Sequence, residues 1–362
     1  MDSILNLRNR ILILILGFLF VIDGTSQIIP FKNYSIREGL PQNSVIAVFQ
    51  DSKGYLWFGT QVGIARFDGR SFINYNISSG LCGNTVSSIL EDYKGQLWIA
   101  SHDGGISVRK KDVFYNLNKD SGLVSNDIKS LYLDSNNRIW CISDNGISVI
   151  SSSGIINFTD QNGLPHNNVL VWFEDSKKNI WVGTQKGAAV YDGERWISYT
   201  TELAYQVDGR MESVVWSLAE DNKSNLWLGT QGGGVFVFDG KNFRHFTQKD
   251  GLGGDYVLSM AQAPDKTIWM GHFKQGLTQF DGEKFHSYAS SLIPNDYILG
   301  IKFDHKGRIW AKTLQSGIVS GTPGQFRILG KTNGLIDDRV QDICVDGTGN
   351  VWIGTLGGVS MY

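Results

Sequence analysis

Eleven polar or charged side chains recur at one point of a repeating pattern, and their chemistry suits hydrogen bonding to hydroxyl groups. Amides, carboxylates and imidazoles can each donate or accept hydrogen bonds. A ring of such groups in a concave surface could hold a polar small molecule. The alternative is that these residues are ordinary solvated loop residues. Which interpretation holds depends on where the structural elements that carry them place their side chains. The residues are Gln61, His102, Asp103, Asp144, Asn145, Gln185, Lys186, Gln231, His272, Lys274 and Gln315.

A second group of candidates lies in an irregular segment between two repeats. Residues 202–212 hold an aromatic ring, a cation and carboxylates, and Trp216 follows soon after. An aromatic ring near a cation suits stacking on a sugar ring. The alternatives are tolerated sequence variation in a surface loop for the inserted segment and ordinary packing for Trp216. We predict eleven ligand-binding residues, which are Trp216, Tyr205, Arg210, Gln61, His102, Asp103, Asn145, Lys186, Gln231, His272 and Lys274.

These residues do not form a catalytic or metal-binding pattern. The His residues show no H-x-x-x-H spacing, the three Cys form no C-x-x-C pair, and no G-x-S-x-G sequence marks a nucleophilic serine. We therefore predict no enzymatic activity, no metal and no cofactor. An odd number of Cys cannot pair completely, and we expect Cys141 and Cys344 to be small core residues.

The elements that carry the candidates repeat with the spacing of eight Trp residues. Successive Trp are 41, 42, 41, 46, 42, 41 and 42 residues apart, and an Asp precedes the Trp by six residues in seven copies. The sixth copy has Ala263 instead, with Asp265 nearby. Such a period is typical of a repeat architecture. The residues are Trp57, Trp98, Trp140, Trp181, Trp227, Trp269, Trp310 and Trp352.

A complete copy contains four short apolar segments, A to D, separated by turn residues. The lengths suit strands rather than helices, and Asp-x-x-Gly and Asp-Gly sequences favour hairpins. Four strands repeated in this way predict the blades of an all-β propeller. The Trp would fill the gap between neighbouring blades.

The strand count predicts eight four-stranded blades. The eighth copy ends after segment C, whereas an unattached D-like segment, Phe31–Tyr34, precedes the first copy. The N-terminal strand would therefore complete the last blade, close the ring and remove the exposed sheet edges. A ring of seven blades followed by the start of a second ring is the alternative.

The domain organisation predicted is a leader over residues 1–26 and one propeller over residues 27–362. Arg8 and Arg10 precede an apolar run, Ile11–Ile22, and small residues follow it. This run is too short to span a bilayer, which needs about 20 residues, and is typical of a signal peptide. An uncleaved anchor is the alternative. We expect an exported protein, periplasmic or secreted, without a membrane span in the mature chain.

The charge balance excludes one class of partner. The formal net charge is −2 and no charge runs occur. A protein that binds nucleic acid would carry a basic surface, so we predict no nucleic-acid partner.

The recurring sequence V-x-x-I-x-x-D-x-x-G-x-L-W-x-G-T-x-x-G-G, followed by D-G-x-x-F-x-x-Y and G-L, resembles the two-component regulator propeller repeat. Residues 223–234 and 349–358 are the clearest matches. The resemblance implies an extracytoplasmic sensor propeller of the kind found in hybrid histidine kinases, often with an oligosaccharide ligand. No kinase segment follows the repeats in these 362 residues. We expect a free-standing binding propeller, a component that docks with a membrane histidine kinase, or a truncated sensor.

We therefore predict a periplasmic ligand-sensing propeller with an oligosaccharide ligand. A protein-interaction scaffold is the first alternative, and a propeller lyase or hydrolase is the second. We place the site at the D–A and B–C loops, which vary more between copies than the hairpins and surround the mouth of the channel.

Overall fold

The computed structural model of the chain describes residues 31–200, 203–207, 210–288, 293–294 and 296–362. The expected leader, residues 1–26, lies outside the described residues. Over the described residues the chain forms eight antiparallel four-stranded sheets, and one separate two-stranded hairpin. These sheets are the blades of one β-propeller, which confirms the prediction of eight blades over the seven-bladed alternative. Within the described ranges, no helix has the length and hydropathy needed to cross a membrane.

Each blade runs from strand A, nearest the axis, to strand D at the rim. Strands A to D are, in blade 1, Val45–Gln50, Leu56–Thr60, Gly63–Phe67 and Phe72–Tyr75; in blade 2, Val86–Glu91, Leu97–Ser101, Gly105–Lys110 and Val113–Leu117; in blade 3, Ser130–Leu133, Ile139–Ser143, Gly146–Ser151 and Gly154–Phe158; and in blade 4, Val169–Glu174, Ile180–Thr184, Gly187–Tyr191 and Trp196–Tyr199. They are, in blade 5, Val215–Glu220, Leu226–Thr230, Val235–Phe238 and Phe243–Phe246; in blade 6, Val257–Gln262, Ile268–His272, Leu277–Phe280 and Phe285–Tyr288; in blade 7, Ile298–Phe303, Ile309–Thr313, Ile318–Gly321 and Arg327–Leu329; and in blade 8, Val340–Val345, Val351–Thr355, Gly358–Met361 and Lys32–Tyr34.

Short elements connect some of the blades. Among the described residues, 3₁₀ turns lie between a strand D and the next strand A at Ile77–Ser79, Lys119–Ser121, Gln248–Asp250 and Lys331–Asn333. The irregular segment before blade 5 forms a hairpin of Tyr205–Val207 with Arg210–Glu212.

The repeated Asp closes the A–B hairpin and holds the Trp. In blade 1, one carboxylate oxygen of Asp51 accepts hydrogen bonds from the amides of Lys53 and Tyr55, at 3.0 and 2.9 Å. Its other oxygen accepts the indole N–H of Trp57 at 2.8 Å. The same Asp–Trp bond recurs in blades 2, 3, 4, 5, 7 and 8. In blade 6, where Ala263 replaces the Asp, Trp269 donates to Thr267 instead.

The Trp rings form the core between blades, as predicted. Trp57 packs with Val86 and Ile99 of blade 2, and Trp140 packs with Val169 and Val182 of blade 4. All eight are buried. Since each blade has two apolar faces, its stability depends on the blade beside it.

The N-terminal strand closes the ring, as predicted. Asn33 pairs with Ser360 in an antiparallel ladder, and the Ser360 hydroxyl donates to the Asn33 side chain at 2.6 Å. Tyr34 stacks on Trp352 at 5.7 Å and meets Phe67 edge-on at 5.1 Å. The first strand therefore joins blade 8 to blade 1 through both hydrogen bonds and aromatic contacts.

We expect Asp346→Ala to lower the free energy of unfolding by about 1–3 kcal/mol, because a buried indole N–H and two hairpin amides lose their acceptor. Urea denaturation would measure the change, with Asp160→Ala, an exposed carboxylate, as the control. Equal losses in the two variants would contradict the proposed role of the Asp.

We expect Tyr34→Ala to destabilise the protein by about 3–5 kcal/mol, the range for removing a buried aromatic ring. Tyr115 is 57% exposed on strand D of blade 2, so Tyr115→Ala is the matched control and should lower the unfolding midpoint very little. If Tyr34→Ala were as stable as the control, the ring closure would not depend on this contact.

Candidate functional site

The second residue of strand A lies at the D–A loop end of the innermost strand in seven blades, and in blade 3 the equivalent residue, Lys129, immediately precedes strand A. In blade 5, Val215 pairs with Thr230 and Ser217 with Gly229, so Trp216 is bulged out of the ladder. A bulge redirects a side chain away from its sheet, and the same shift occurs in six other blades. We call the residues at this position in the eight blades the mouth ring, and none of them is buried. The mouth ring comprises Ile46, Ser87, Lys129, Leu170, Trp216, Leu258, Leu299 and Gln341.

The mouth ring has an apolar half and a more polar half. Four consecutive blades, 4 to 7, contribute Leu170, Trp216, Leu258 and Leu299. The other half includes Lys129, whose ammonium group contacts the Asp144 carboxylate. The channel mouth is therefore amphipathic, with aliphatic and aromatic surface facing hydrogen-bonding groups.

Lys312 adds a second cation at the polar half. It occupies a strand B position that is Gly in five other blades, and it lies opposite Gly300, whose missing side chain leaves room for it. Its ammonium group donates to the Gln341 carbonyl of the mouth ring at 2.6 Å. Burial lowers the pKa of Lys312, while nearby Asp342 opposes that shift.

Trp216 and Gln231, two predicted site residues, are in contact. Trp216 is 38% exposed, and its indole N–H donates to the Gln231 side-chain oxygen at 2.8 Å. The amide therefore fixes the orientation of the indole, whose surface remains accessible at the mouth. An exposed ring held in place by a polar group is a suitable platform for a ligand.

An aromatic wall continues from this pair, and it was not predicted from the sequence. Gln231 forms a β-bridge with Tyr256, and Phe273 forms the next with Tyr297. The Phe273 ring lies 5.6 Å from the Tyr256 ring and 4.4 Å from the Tyr297 ring. All three rings are partly exposed. We call Trp216, Tyr256, Phe273 and Tyr297 the aromatic crescent.

A signal for the crescent was present in the repeat alignment. The residue before strand A accepts a hydrogen bond from the residue after strand B in several blades, for example His102 to Thr85 and Phe273 to Tyr256. Blade 2 has a polar pair at these positions, whereas blade 6 has two aromatic residues. Comparing this pair of columns, rather than the loops as wholes, would have found the crescent.

The inserted segment before blade 5 contributes differently from the prediction. Tyr205 is only 7% exposed. Its hydroxyl donates to the Val214 carbonyl at 3.3 Å, and its ring covers Gly233, where a Cβ would lie 2.4 Å from a ring carbon. Tyr205 therefore anchors the hairpin instead of presenting its ring to a ligand. Arg210 pairs with Val207 in the hairpin backbone.

Three of the predicted loop residues brace neighbouring loops. Asp103 accepts hydrogen bonds from the amides of Asn84 and Thr85, and Gln61 exchanges hydrogen bonds with a neighbouring Gln side chain. His102 contacts the Asp127 carboxylate at 2.7 Å. These side chains are exposed but already partnered.

Three others project from the turns with fewer constraints. Asn145 and Lys186 are exposed in the B–C turns of blades 3 and 4. Lys274 is exposed in blade 6, and its ammonium group lies 5.2 Å from the centroid of the Phe273 ring. Of these three, the structure brings Lys274 into contact with the aromatic crescent.

His272 is not a loop residue, contrary to the prediction. It ends strand B of blade 6, where the other blades have Thr or Ser, and it is 0% exposed. Its ring bonds the Thr278 hydroxyl at 2.7 Å. Burial lowers the pKa of His272 to about 4, so the imidazole is neutral and does not contact a ligand at the mouth.

The D–A loops vary less than expected. Six of them share one conformation, in which an Asn or Asp side chain accepts the amide seven residues before it. A buried Leu follows a left-handed Gly in these loops, as in Gly80-Leu81. The loops into blades 5 and 7 lack this sequence.

The described part of the chain contains no group of three His, Cys, Asp or Glu side chains able to hold a metal ion. The site therefore consists of aromatic, aliphatic, amide and ammonium groups around a channel mouth. Such a set can stack on and hydrogen-bond a polar ligand with flat apolar faces.

Eight blades around an amphipathic mouth define the chain as a β-propeller with a surface suited to ligands. The sequence pattern of the two component regulator propeller family matches residues 39–61, 80–103, 163–186, 209–232 and 334–357. Each matched segment covers strands A and B of one blade. Five of the eight repeats of this chain therefore match the two component regulator propeller pattern.

Similar proteins include signalling proteins and an enzyme. Forty-two residues are 48% identical to histidine kinase P4 of Formosa agariphila, over 12% of this chain and 3% of that protein. The extracellular domain of a putative one component system from B. thetaiotaomicron matches with a TM-score of 0.54 and 19% identity, over 89% of this chain and 47% of that chain. Virginiamycin B lyase from Staphylococcus aureus matches with a TM-score of 0.56 and 16% identity, over 76% of this chain and 93% of the lyase.

The two structural matches show a shared fold. The chain spans less than half the length of the kinase and of the extracellular domain.

The buried imidazole predicts a pH dependence of stability. The folded-state pKa of His272 is about 4, below its ordinary value of 6.5, so the unfolded chain binds the proton first as the pH falls. The stability contributed by this site is complete above pH about 6.5 and is lost progressively towards pH 4.

We therefore expect His272→Thr to lose less stability than the native protein between pH 7 and pH 5. Urea denaturation at each pH would show this difference. His305→Thr, at an exposed His, should retain the native pH dependence. Parallel pH profiles for the native protein and His272→Thr would contradict a buried neutral imidazole.

Proposed function

We propose that this chain is an exported, non-enzymatic binding propeller of a two-component regulatory system, and that its ligand is an oligosaccharide. The observation that carries the proposal is the aromatic crescent at the channel mouth, with Trp216 oriented by Gln231. The predicted leader at the N-terminus supports export to the periplasm or the outside of the cell.

The chemistry of the crescent suits a sugar more than a purely apolar ligand. A pyranose ring has C–H faces that pack on aromatic rings and hydroxyl groups around its edge. Gln231 and Lys274 provide amide and ammonium groups next to those rings. The crescent extends over blades 5 to 7, so it offers contacts for several consecutive sugar units.

The regulatory role rests on the repeats rather than on the fold. Propellers host many functions, so the fold alone does not support a role in signalling. Five repeats match the pattern of two component regulators, and a short segment resembles a histidine kinase. We propose that ligand binding is communicated to a membrane histidine kinase, either a separate protein or a further part of a longer chain.

A catalytic role has less support at the same mouth. His272 is buried and neutral, and the exposed His102 is held by Asp127. General acid–base catalysis requires a group within hydrogen-bonding reach of the substrate and with a suitable pKa. The lyase with a similar fold shares only 16% identity, so it supports the architecture and not the activity.

The test measures the melting temperature of the purified protein with neutral and acidic oligosaccharides of plant, algal and host origin. A ligand that binds only the folded state raises the melting temperature. We expect a rise with one class of sugar, and we expect Trp216→Ala to weaken binding by roughly tenfold or more, because a stacking surface is removed.

Tyr115→Ala is the matched control, since this ring is exposed at the rim of blade 2. It should keep the native affinity, and both variants should remain folded. No rise with any sugar, or equal affinity in Trp216→Ala, would reject the proposal. Specific capture of a protein partner without a sugar response would favour an interaction scaffold.

A further inference from the structure

A cleft between blades 1 and 2 lies at the opposite end of the propeller from the mouth ring. It has a volume of about 430 Å³ and opens among the A–B and C–D hairpins. Two arginines line it, Arg66 from strand C of blade 1 and Arg109 from strand C of blade 2. Blades 4 and 5 form an equivalent cleft, which serves as an internal comparison.

Both arginines replace residues that are apolar in most other blades. Arg66 lies opposite the repeat Trp, where blades 2 to 5 have Val108, Val149, Val190 and Val237. Arg109 lies opposite the first residue of strand B, where other blades have residues such as Phe67 and Phe238. In the equivalent cleft, the two positions are Val190 and Phe238. The packing of a blade therefore does not require a guanidinium at either position.

The hydrogen bonds of these arginines are incomplete. The Nε atoms of Arg66 and Arg109 are buried, and neither has a hydrogen-bond partner. Arg109 donates from Nη2 to Asp112, at 2.5 Å. No carboxylate lies within 4 Å of the Arg66 guanidinium among the ion pairs of the described residues. An unsatisfied buried donor is costly unless a ligand completes it.

Other arginines of the same repeats do not share this state. Arg138 and Arg308 also lie over their repeat Trp, but their Nε atoms donate to Asp134 and Asp304, at 2.5 and 2.9 Å. In these two blades the Asp that holds the Trp also accepts the Nε–H of the arginine. The Nε atoms of Arg66 and Arg109 have no such acceptor.

The carboxylates that face the cleft are already engaged. Asp51 accepts the hairpin amides and the Trp57 indole. Glu91 accepts the amide and hydroxyl of Ser52. Asp112 is paired with Arg109. Lys53 and Lys111 also line the cleft, so the cations that remain without a carboxylate are Arg66 and these two lysines.

Aromatic rings hold both guanidinium groups in place. The Arg66 guanidinium lies 4.6 Å from the Tyr55 ring centroid, and that of Arg109 lies 5.3 Å from Trp57 and 5.7 Å from Tyr75. Stacking on a ring leaves the edge of a guanidinium free for planar hydrogen bonding to an oxyanion. The two groups are therefore preorganised before any ligand arrives.

We propose that this cleft binds an oxyanion, a sulfate, phosphate or carboxylate group, between Arg66 and Arg109. The guanidinium edges would donate charge-assisted hydrogen bonds, and Lys53 and Lys111 would add positive charge at the opening. The site is separate from the mouth ring, so it does not depend on the proposed oligosaccharide function. The group belongs either to a free inorganic anion or to an acidic small molecule such as a uronic acid.

The test compares the native protein with Arg66→Val combined with Arg109→Phe. These substitutions copy the lining of the cleft between blades 4 and 5. Arg195→Val, at an exposed side chain in the C–D hairpin of blade 4, is the control for loss of charge. Sodium sulfate, sodium phosphate, sodium acetate and sodium glucuronate are each titrated at low millimolar concentration, with sodium chloride keeping the ionic strength constant.

We expect at least one of these anions to raise the melting temperature of the native protein and of Arg195→Val by about 2 °C relative to chloride. The double variant should lose that response, and Arg66→Gln alone should weaken anion binding about tenfold by calorimetry. A response to sulfate or phosphate alone indicates a free inorganic anion, and a response to glucuronate indicates an acidic sugar.

Sulfate also stabilises proteins by exclusion from their surfaces, and that effect would be the same in all variants. An equal response in the native protein and the double variant therefore overturns the proposal, as does no response to any of the four anions. Trp216→Ala should keep the anion response, and the double variant should keep any oligosaccharide response. Failure of one site is thus distinguishable from failure of the other.

Discussion

The structure depends on one repeated interaction, in which an Asp carboxylate binds two hairpin amides and the indole N–H of a Trp six residues later. The bond fixes the A–B hairpin and, at the same time, the orientation of the largest side chain in the blade. That ring then packs against the next blade. Local turn chemistry and packing between blades are therefore set by the same carboxylate, and in blade 6 a Thr hydroxyl takes over the bond to the indole.

This arrangement leaves particular positions free to vary. In the seven blades that have this bulge, the bulged residue of strand A does not take part in the ladder with strand B, so it can be Ile, Ser, Leu, Trp or Gln without loss of pairing. Two positions of strand C lie opposite the repeat Trp and opposite the first residue of strand B. Both are apolar in most blades because their side chains cover a repeat Trp. Arg66 and Arg109 depart from that rule together, on two surfaces that face each other.

The two ends of the propeller consequently offer different chemistry. At the mouth, aromatic and aliphatic side chains from blades 4 to 7 face amides and ammonium groups. At the hairpin end, the cleft between blades 1 and 2 presents guanidinium groups stacked on aromatic rings. A propeller supports both because each blade places its loops at fixed ends and its side chains on fixed faces, whatever their identity.

The Trp and Asp spacing was sufficient to predict eight blades and the closing strand, since a regular period and an incomplete last copy depend only on order along the chain. Trp216 was proposed from its place beside the inserted segment, at a position without a fixed polarity, and Gln231 from its place in a B–C turn; the structure brings these two side chains into contact. Tyr205 and His272 were placed wrongly at the ligand surface, because burial is decided by neighbours such as Gly233 and Thr278 that no local pattern identifies. The aromatic crescent and the pair of arginines arise between blades, from residues about 40 positions apart. Only the tertiary structure shows which faces meet, and both candidate sites are formed where such faces meet.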